Sequence, residues 1–323
     1  MRKTVPAKTL DQLFVPNTRY AYFEGFREHP FRADAAGYEP VNAWWLADAA
    51  FLAYAGRAFI EQTLEDSGLK AHGFASRFFE REGTQGYVLH DERTVIVVFR
   101  GTQIDDFWSS VLDLATDAGF ILVDDGAGGR VHKGFRQALD RVWDDMREHL
   151  LRLQAEGPGR SFWFAGHSLG GALATLAAGR ALRETSLDVR GLYTFGSPRV
   201  GDGGFHGGHA GGKLKQDTFR VVNEDDIVAR VPPEPPCRHV GLFKFIDGGV
   251  LHDEDEGPSP RTLPAQVSGV ARGVSAGVVA LKLFSVALFF AAPLRRFRVP
   301  VPKVLADHAP VYYSVHLWNS FNS

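Results

Sequence analysis

The 323-residue chain contains one cysteine, Cys237, which excludes an intrachain disulfide and a cysteine-built zinc cluster. It has little net charge: 36 Lys and Arg against 38 Asp and Glu leave a formal −2, so there is no basic footprint for nucleic acid. Met1-Arg2-Lys3-Thr4-Val5-Pro6 carries positive charge but no apolar run follows it, so no secretory signal peptide is expected and cytosolic synthesis is the default. No internal repeat is visible. What is present is a globular mix, 45% hydrophobic and 23% charged, which argues against disorder, collagen and small disulfide scaffolds. The length suits one α/β domain covering 1–323.

Local patterning predicts alternating strands and helices. Residues 1–40 mix aromatics with Pro16, Pro30 and Pro40 and read as an irregular arm wrapped on the domain. A helix is expected from Asn42, with Asn42 as N-cap, through Trp44, Trp45, Leu46, Ala50, Phe51 and Tyr54. Residues 73–80, 84–90 and 93–100 read as strands, the last apolar on both faces and therefore central in a covered sheet. Phe135, Leu139, Val142, Met146, Leu150 and Leu153, spaced by threes and fours, mark an amphipathic helix over 133–156 that Gly157-Pro158-Gly159 stops. Strand 161–165, helix 171–184, strand 189–195 and strand 217–222 follow, which implies a mostly parallel sheet with helices on both faces. Gly201–Lys213, with seven glycines, His206 and His209, reads as a flexible surface loop rather than a metal site, because no carboxylate or cysteine pattern completes a ligand set. The acidic, Pro-rich stretch 252–264 reads as a linker into an insertion.

The segment Ser161-Phe162-Trp163-Phe164-Ala165-Gly166-His167-Ser168-Leu169-Gly170-Gly171-Ala172 carries the chemistry. Gly-x-Ser-x-Gly alone is a weak pattern, but here an apolar strand precedes it and a small-residue helix follows. Such a turn holds the serine in strained backbone geometry and needs tiny residues two before and two after it. Gly166, Gly170, Gly171 and Ala172 meet that need. Ser168 is then a hydroxyl lifted into a cleft above a helix N-terminus, which favours developing negative charge.

Four more segments follow the same order as in a known family: Val98-Phe99-Arg100-Gly101-Thr102, His132-Lys133-Gly134-Phe135, Tyr193-Thr194-Phe195-Gly196-Ser197-Pro198-Arg199-Val200-Gly201-Asp202, and Val222-Asn223-Glu224-Asp225-Asp226-Ile227-Val228-Ala229-Arg230-Val231-Pro232-Pro233. With them the chain resembles the class three, fungal-type triacylglycerol lipases of the α/β-hydrolase superfamily, over about residues 40–250 and the extreme C-terminal part. The resemblance implies the α/β-hydrolase fold with a lid helix, and a serine carboxylic-ester hydrolase that uses no metal and no organic cofactor.

A serine needs a histidine to take its proton and a carboxylate to orient that histidine, in the chain order Ser, Asp, His. Asp225 and Asp226 both follow the strand at 217–222, and the family's acid segment selects Asp226. Chain order leaves His239, His252, His308 and His316 as bases. His239 resembles the family's structural His-Val-Gly strand, while Asp307-His308 followed by Tyr312 resembles its Asp-His pair, so His308 is taken as the base with His316 as the remaining candidate. The oxyanion needs two donors. One is the N–H of Leu169, directly after the nucleophile, and the resemblance assigns the other to Thr102.

Beyond Thr102, Ile104, Phe107, Trp108, Val111 and Leu112 fall on one helical face, with Asp105, Asp106, Ser109 and Asp113 elsewhere. A core-facing helix shows the same pattern; position in the family makes 103–114 the lid, an apolar face able to cover the cleft or turn to lipid. Within 265–300, Val274–Ala292 is an apolar run broken by Lys282 and two serines and bounded by Arg295, Arg296 and Arg298. A membrane span is disfavoured by the lysine and by the need for both ends to reach one site. A helix covering the cleft or lying in the bilayer interface is expected, with a buried helix as the alternative. The expected substrate is an acylglycerol or other ester lipid. A phospholipase or acyltransferase with the same triad, or a noncatalytic lipid-binding protein, are the other readings.

Overall fold

The computed structural model describes residues 1–13, 17–101, 121–253 and 300–322. Its helices are α1 (Leu10–Leu13), α2 (Pro40–Leu52), α3 (Arg57–Asp66), α4 (Lys133–Glu156), α5 (Leu169–Glu184), α6 (Gly203–Gly211), α7 (Lys303–Ala306) and α8 (Pro310–Phe321). Its strands are β1 (Ala75–Arg81), β2 (Thr84–His90), β3 (Thr94–Phe99), β4 (Leu122–Asp124), β5 (Arg130–His132), β6 (Ser161–His167), β7 (Val189–Phe195), β8 (Gly201–Asp202), β9 (Thr218–Asn223), β10 (Cys237–Arg238), β11 (Leu242–Asp247) and β12 (Val250–Asp253).

The main sheet runs β1-β2-β3-β6-β7-β9-β11-β12, parallel from β3 to β11 with antiparallel hairpins at both edges. Strands buried on both faces must be apolar throughout, and β3 and β6 divide their side chains accordingly. Ile96, Val98, Trp163 and Ala165 join one core with Trp44, Trp45, Phe51, Tyr312 and Leu317 of α2 and α8. Val95, Val97, Phe162 and Phe164 join a second with Leu139, Val142, Met146, Ala174 and Ala178 of α4 and α5. This is the doubly covered sheet of the α/β-hydrolase fold. A small antiparallel sheet, β10-β8-β5-β4, flanks it.

Because β3, β6, β7 and β9 are adjacent and parallel, Gly101, Ser168, Gly196 and the 223–226 turn all leave the same edge. In open α/β sheets the crevice outside the carboxyl ends is where ligands bind.

Three expectations need correction. The helix expected from Asn42 starts at Pro40, and Glu39 is its N-cap, accepting the Val41 N–H at 3.3 Å. Pro40 fits the first turn, where its missing N–H has no partner to lose, and Asn42 is buried, exchanging hydrogen bonds of 2.8 and 3.0 Å with the Arg32 backbone. Gly201–Lys213 is not a loop: Gly203–Gly211 is helical, with the Asp202 carboxylate accepting the Phe205 N–H at 3.0 Å. That cap and the burial of Phe205 oppose the entropic cost of so many glycines. His206 and His209 are hydrogen-bonded there to His239 O (2.7 Å) and Thr218 Oγ1 (2.9 Å). Finally, His252 and Asp253, expected in a linker, belong to β12. Thr102, the lid at 103–114 and the insertion at 265–300, apart from Pro300, lie outside the described residues. Among the described residues no helix is long and apolar enough to cross a membrane.

Candidate active site

The turn from β6 into α5 places Ser168 at φ 58°, ψ −130°, a left-handed conformation that costs a non-glycine residue about 1–3 kcal/mol. The Ser168 N–H donates to Phe195 O at the end of β7, and the Gly171 N–H donates back to Ser168 O, both at 2.9 Å. Small neighbours are mandatory, as the sequence implied. A Cβ on Gly166 would lie 2.1 Å from Gly170 O, and one on Gly170 would lie 2.2 Å from Phe99 O. Leu169 is the first residue of α5, so its N–H belongs to the first turn, whose amides have no acceptor within the helix.

The turn after β9 separates the two candidate acids. Asp225 points outward to Arg230 (3.0 Å) and Lys303 (2.8 Å), and the Lys303 hydrogen bond foremost holds its carboxyl below the ordinary range. Asp226 is fully buried and faces His308, whose Nδ1 lies 2.9 and 2.8 Å from Oδ1 and Oδ2. The Val228 N–H donates to Oδ1 at 2.8 Å and the Tyr313 hydroxyl to Oδ2 at 2.5 Å. The carboxylate oxygens act as acceptors throughout, so Nδ1 carries the ring hydrogen and Nε2 the basic lone pair. Among the described residues none of His239, His252 and His316 hydrogen-bonds to Asp226. His239 bonds to Ala229 O at 2.6 Å, His316 stacks on Tyr312, and His252 lies exposed on edge strand β12.

Three residues not singled out from the sequence complete the arrangement. Tyr313, rather than Tyr312, reaches the acid, and its hydroxyl also accepts the Asn223 N–H at 3.1 Å. His167 sits between Tyr54 and the His308 segment: the Tyr54 hydroxyl is 2.7 Å from Nδ1, and Nε2 is 2.7 Å from His308 O. A carbonyl can only accept, so Nε2 bears the hydrogen and Nδ1 takes the Tyr54 proton. The His167 and His308 rings are 4.4 Å apart at their centroids, which places His308 beside the serine turn. The third is Gly196, directly after β7.

Gly196 has φ +56°, and a Cβ there would lie 2.4 Å from Asp226 Oδ2 and 3.0 Å from His308 Nδ1. Its signal was in the Phe195-Gly196-Ser197-Pro198 segment, but only the fold shows what the missing side chain makes room for. Gly196→Ala is expected to destabilise the protein by about 2 kcal/mol or more, from left-handed strain plus displacement of the buried pair. Urea denaturation measures this, and an unchanged midpoint would mean that Asp226 and His308 can retreat freely.

Burial lowers the proton affinity of six histidines, in the site and away from it. His167 is held well below the usual 6.5, first by burial and then by His308. His149 and His209 are pushed down to about 4, and His90, His239 and His316 are also lowered, with burial the first cause each time. Lowered folded-state values mean that the unfolded chain binds more protons once pH falls below about 6.5, so the stability is complete above that pH and is lost as pH drops toward 4. Asp48, raised by burial, works in the opposite sense but is one group against six. The urea midpoint is therefore expected to fall between pH 7.5 and pH 5. A flat profile would contradict the neutral state of these buried and half-buried rings.

The sequence pattern of the family described as Lipase (class 3) matches residues 96–235. A secreted mono- and diacylglycerol lipase of Fusarium solani is 38% identical over 133 residues, 40% of this chain and 38% of that protein. The lipase of Rhizomucor miehei is 35% identical over 163 residues, 49% of this chain and 41% of its own. The chain thus spans about two fifths of the length of these curated relatives. Among solved structures, the lipase of Rhizopus microsporus var. chinensis superposes with a TM-score of 0.55 at 26% identity, covering 76% of this chain and 84% of that one. A triacylglycerol lipase described as having a serine protease triad as its catalytic centre gives 0.52 at 26% identity, covering 64% and 78%.

Proposed function

The chain belongs to the class 3 lipase family of the α/β-hydrolase superfamily, and from that premise we propose that it hydrolyses acylglycerol esters with Ser168, His308 and Asp226. The observation that carries the reading is the buried Asp226 carboxylate on Nδ1 of a histidine whose carbonyl is held 2.7 Å from His167 Nε2, one residue before the strained serine.

In this reading Ser168 Oγ attacks the ester carbonyl as His308 Nε2 takes its proton, and Asp226 stabilises the imidazolium that forms. The tetrahedral oxyanion is held by the Leu169 N–H and by Thr102, each donor contributing about 3 kcal/mol to the transition state. His308 returns the proton to the departing alcohol, and a water, activated by the same imidazole, releases the fatty acid and restores Ser168. Residues 1–323 act as one domain, with 103–114 as a lid whose Ile104, Phe107, Trp108, Val111 and Leu112 close over the cleft and open toward lipid, and with 265–300 as a second lipid-facing element. A fungal lipase–inhibitor complex that serves as a model for interfacial activation, at 26% identity and a TM-score of 0.51, supports the expectation of action at a lipid interface.

The test is hydrolysis of emulsified tri- and diacylglycerol beside a soluble nitrophenyl ester, with a phospholipid in the same panel because a rice phospholipase A1 is 30% identical over 193 residues. Acylglycerol hydrolysis that rises at the emulsion interface is the expected result. Phospholipid turnover without acylglycerol turnover would move the substrate class. A failure of Ser168 to react with an alkyl phosphonate in detergent would indicate a lipid binder.

A further inference from the structure

The arm at the start of the chain lies against the segment that carries His308, on both sides of it. The Val301 N–H donates to Lys8 O at 2.9 Å, and Thr9 bridges Pro300. The Tyr312 hydroxyl donates to Pro6 O at 3.0 Å, and Lys3 and Asn319 exchange hydrogen bonds of 2.8 and 2.9 Å. Residues 3–9 therefore run antiparallel to 300–319, the stretch in which His308 sits between a four-residue helix and α8. A single helical turn is not self-supporting, since nucleation is costly and few bonds reward it. The histidine therefore has to be held from outside its own segment.

Asp307 supplies the grip. Its side chain is 1% exposed, with Oδ1 2.5 Å from Lys8 Nζ and Oδ2 2.8 Å from Lys303 Nζ. Oδ2 also accepts the Asp225 N–H at 3.2 Å, and Asp307 O accepts Asn223 Nδ2 at 2.9 Å. One buried carboxylate thus joins three pieces: the arm, the residue preceding His308, and the turn that carries Asp226. A buried carboxylate is tolerated only when paired; Lys303 and the Asp225 N–H hold Oδ2, so withdrawing Lys8 takes the cation from Oδ1 and cuts the side-chain tie between Asp307 and the arm.

We propose that the arm is a strap of the active site, in which Lys8, acting through Asp307, is a positioning residue that keeps His308 in register with Asp226. The kinetic part of this proposal rests on the hydrolase reading above; the structural part does not. The experiment compares wild type with Lys8→Met and Lys8→Arg, using a soluble nitrophenyl ester and hydrogen exchange of peptides spanning 303–313, at a temperature where thermal melts show each protein folded. Lys8→Met is expected to lower kcat about tenfold with KM within about twofold, and to speed exchange in 303–313 about tenfold relative to the β6–α5 peptides. Lys8→Arg should restore both. Tyr312→Phe, which removes only the bond to Pro6, is the milder companion and should move both readouts the same way if Lys8→Met does not fold. Unchanged exchange, or fast exchange with kcat intact, overturns the strap. A wild type inert toward every ester defeats the hydrolase reading alone, and the exchange result then still decides whether the arm holds this segment.

Discussion

Ser168→Ala is expected to lower ester hydrolysis about 10⁴-fold or more while the protein stays folded. The Ser168 side chain is no part of the hydrogen bonds that set the turn: its backbone N–H and carbonyl make those, to Phe195 and Gly171. Alanine keeps both, along with the Cβ that already occupies φ 58°, so the strain is the same in both proteins. What the substitution removes is the proposed nucleophile, and in that reading any activity left over comes from the oxyanion donors and substrate binding alone. Initial rates on a nitrophenyl ester, alongside thermal melts of the two proteins, decide the matter. A folded variant within tenfold of wild type would remove Ser168 from the chemistry.

Asp226→Asn should be nearly as damaging, about 10⁴-fold in kcat, for a reason legible in the hydrogen bonds. Three donors converge on the Asp226 carboxylate: the Val228 N–H, the Tyr313 O–H and the His308 Nδ1–H. An amide of the same shape offers one accepting oxygen in place of two and sets its own N–H₂ against a donor. The imidazole relieves the clash by moving its hydrogen to Nε2, the atom that must be bare to accept the serine proton. The variant should therefore keep a near-native melt and lose kcat far more than KM. Loss confined to KM would show that Asp226 serves binding rather than the histidine's tautomer.

The split between what was readable and what was not follows the range of the forces involved. β3, α4 and the β6–α5 turn were legible because periodicity and glycine spacing are local: burial on two faces demands Thr94–Phe99, and close approach demands Gly166 and Gly170. The 203–211 helix was misread because its glycines were weighed without the Asp202 cap and the burial of Phe205. Asp225 and Asp226 are neighbours with the same chemistry, and only family resemblance chose between them before the chain's path turned one toward Lys303 and the other toward His308.

By itself, then, the sequence determined the alternation of strands and helices, the strained serine turn and the residue types a hydrolytic site requires, since each depends on neighbours a few positions apart. Family resemblance had already paired Asp226 with His308; tertiary structure alone decided how they meet across 82 residues, with Nδ1 facing both carboxylate oxygens, that Gly196 leaves space for the pair, that Tyr313 and His167 brace it, and that Lys8 reaches Asp307 across 299 residues. Such contacts depend on where the sheet and its crossing helices bring distant backbone together, and spacing along the chain carries no record of it.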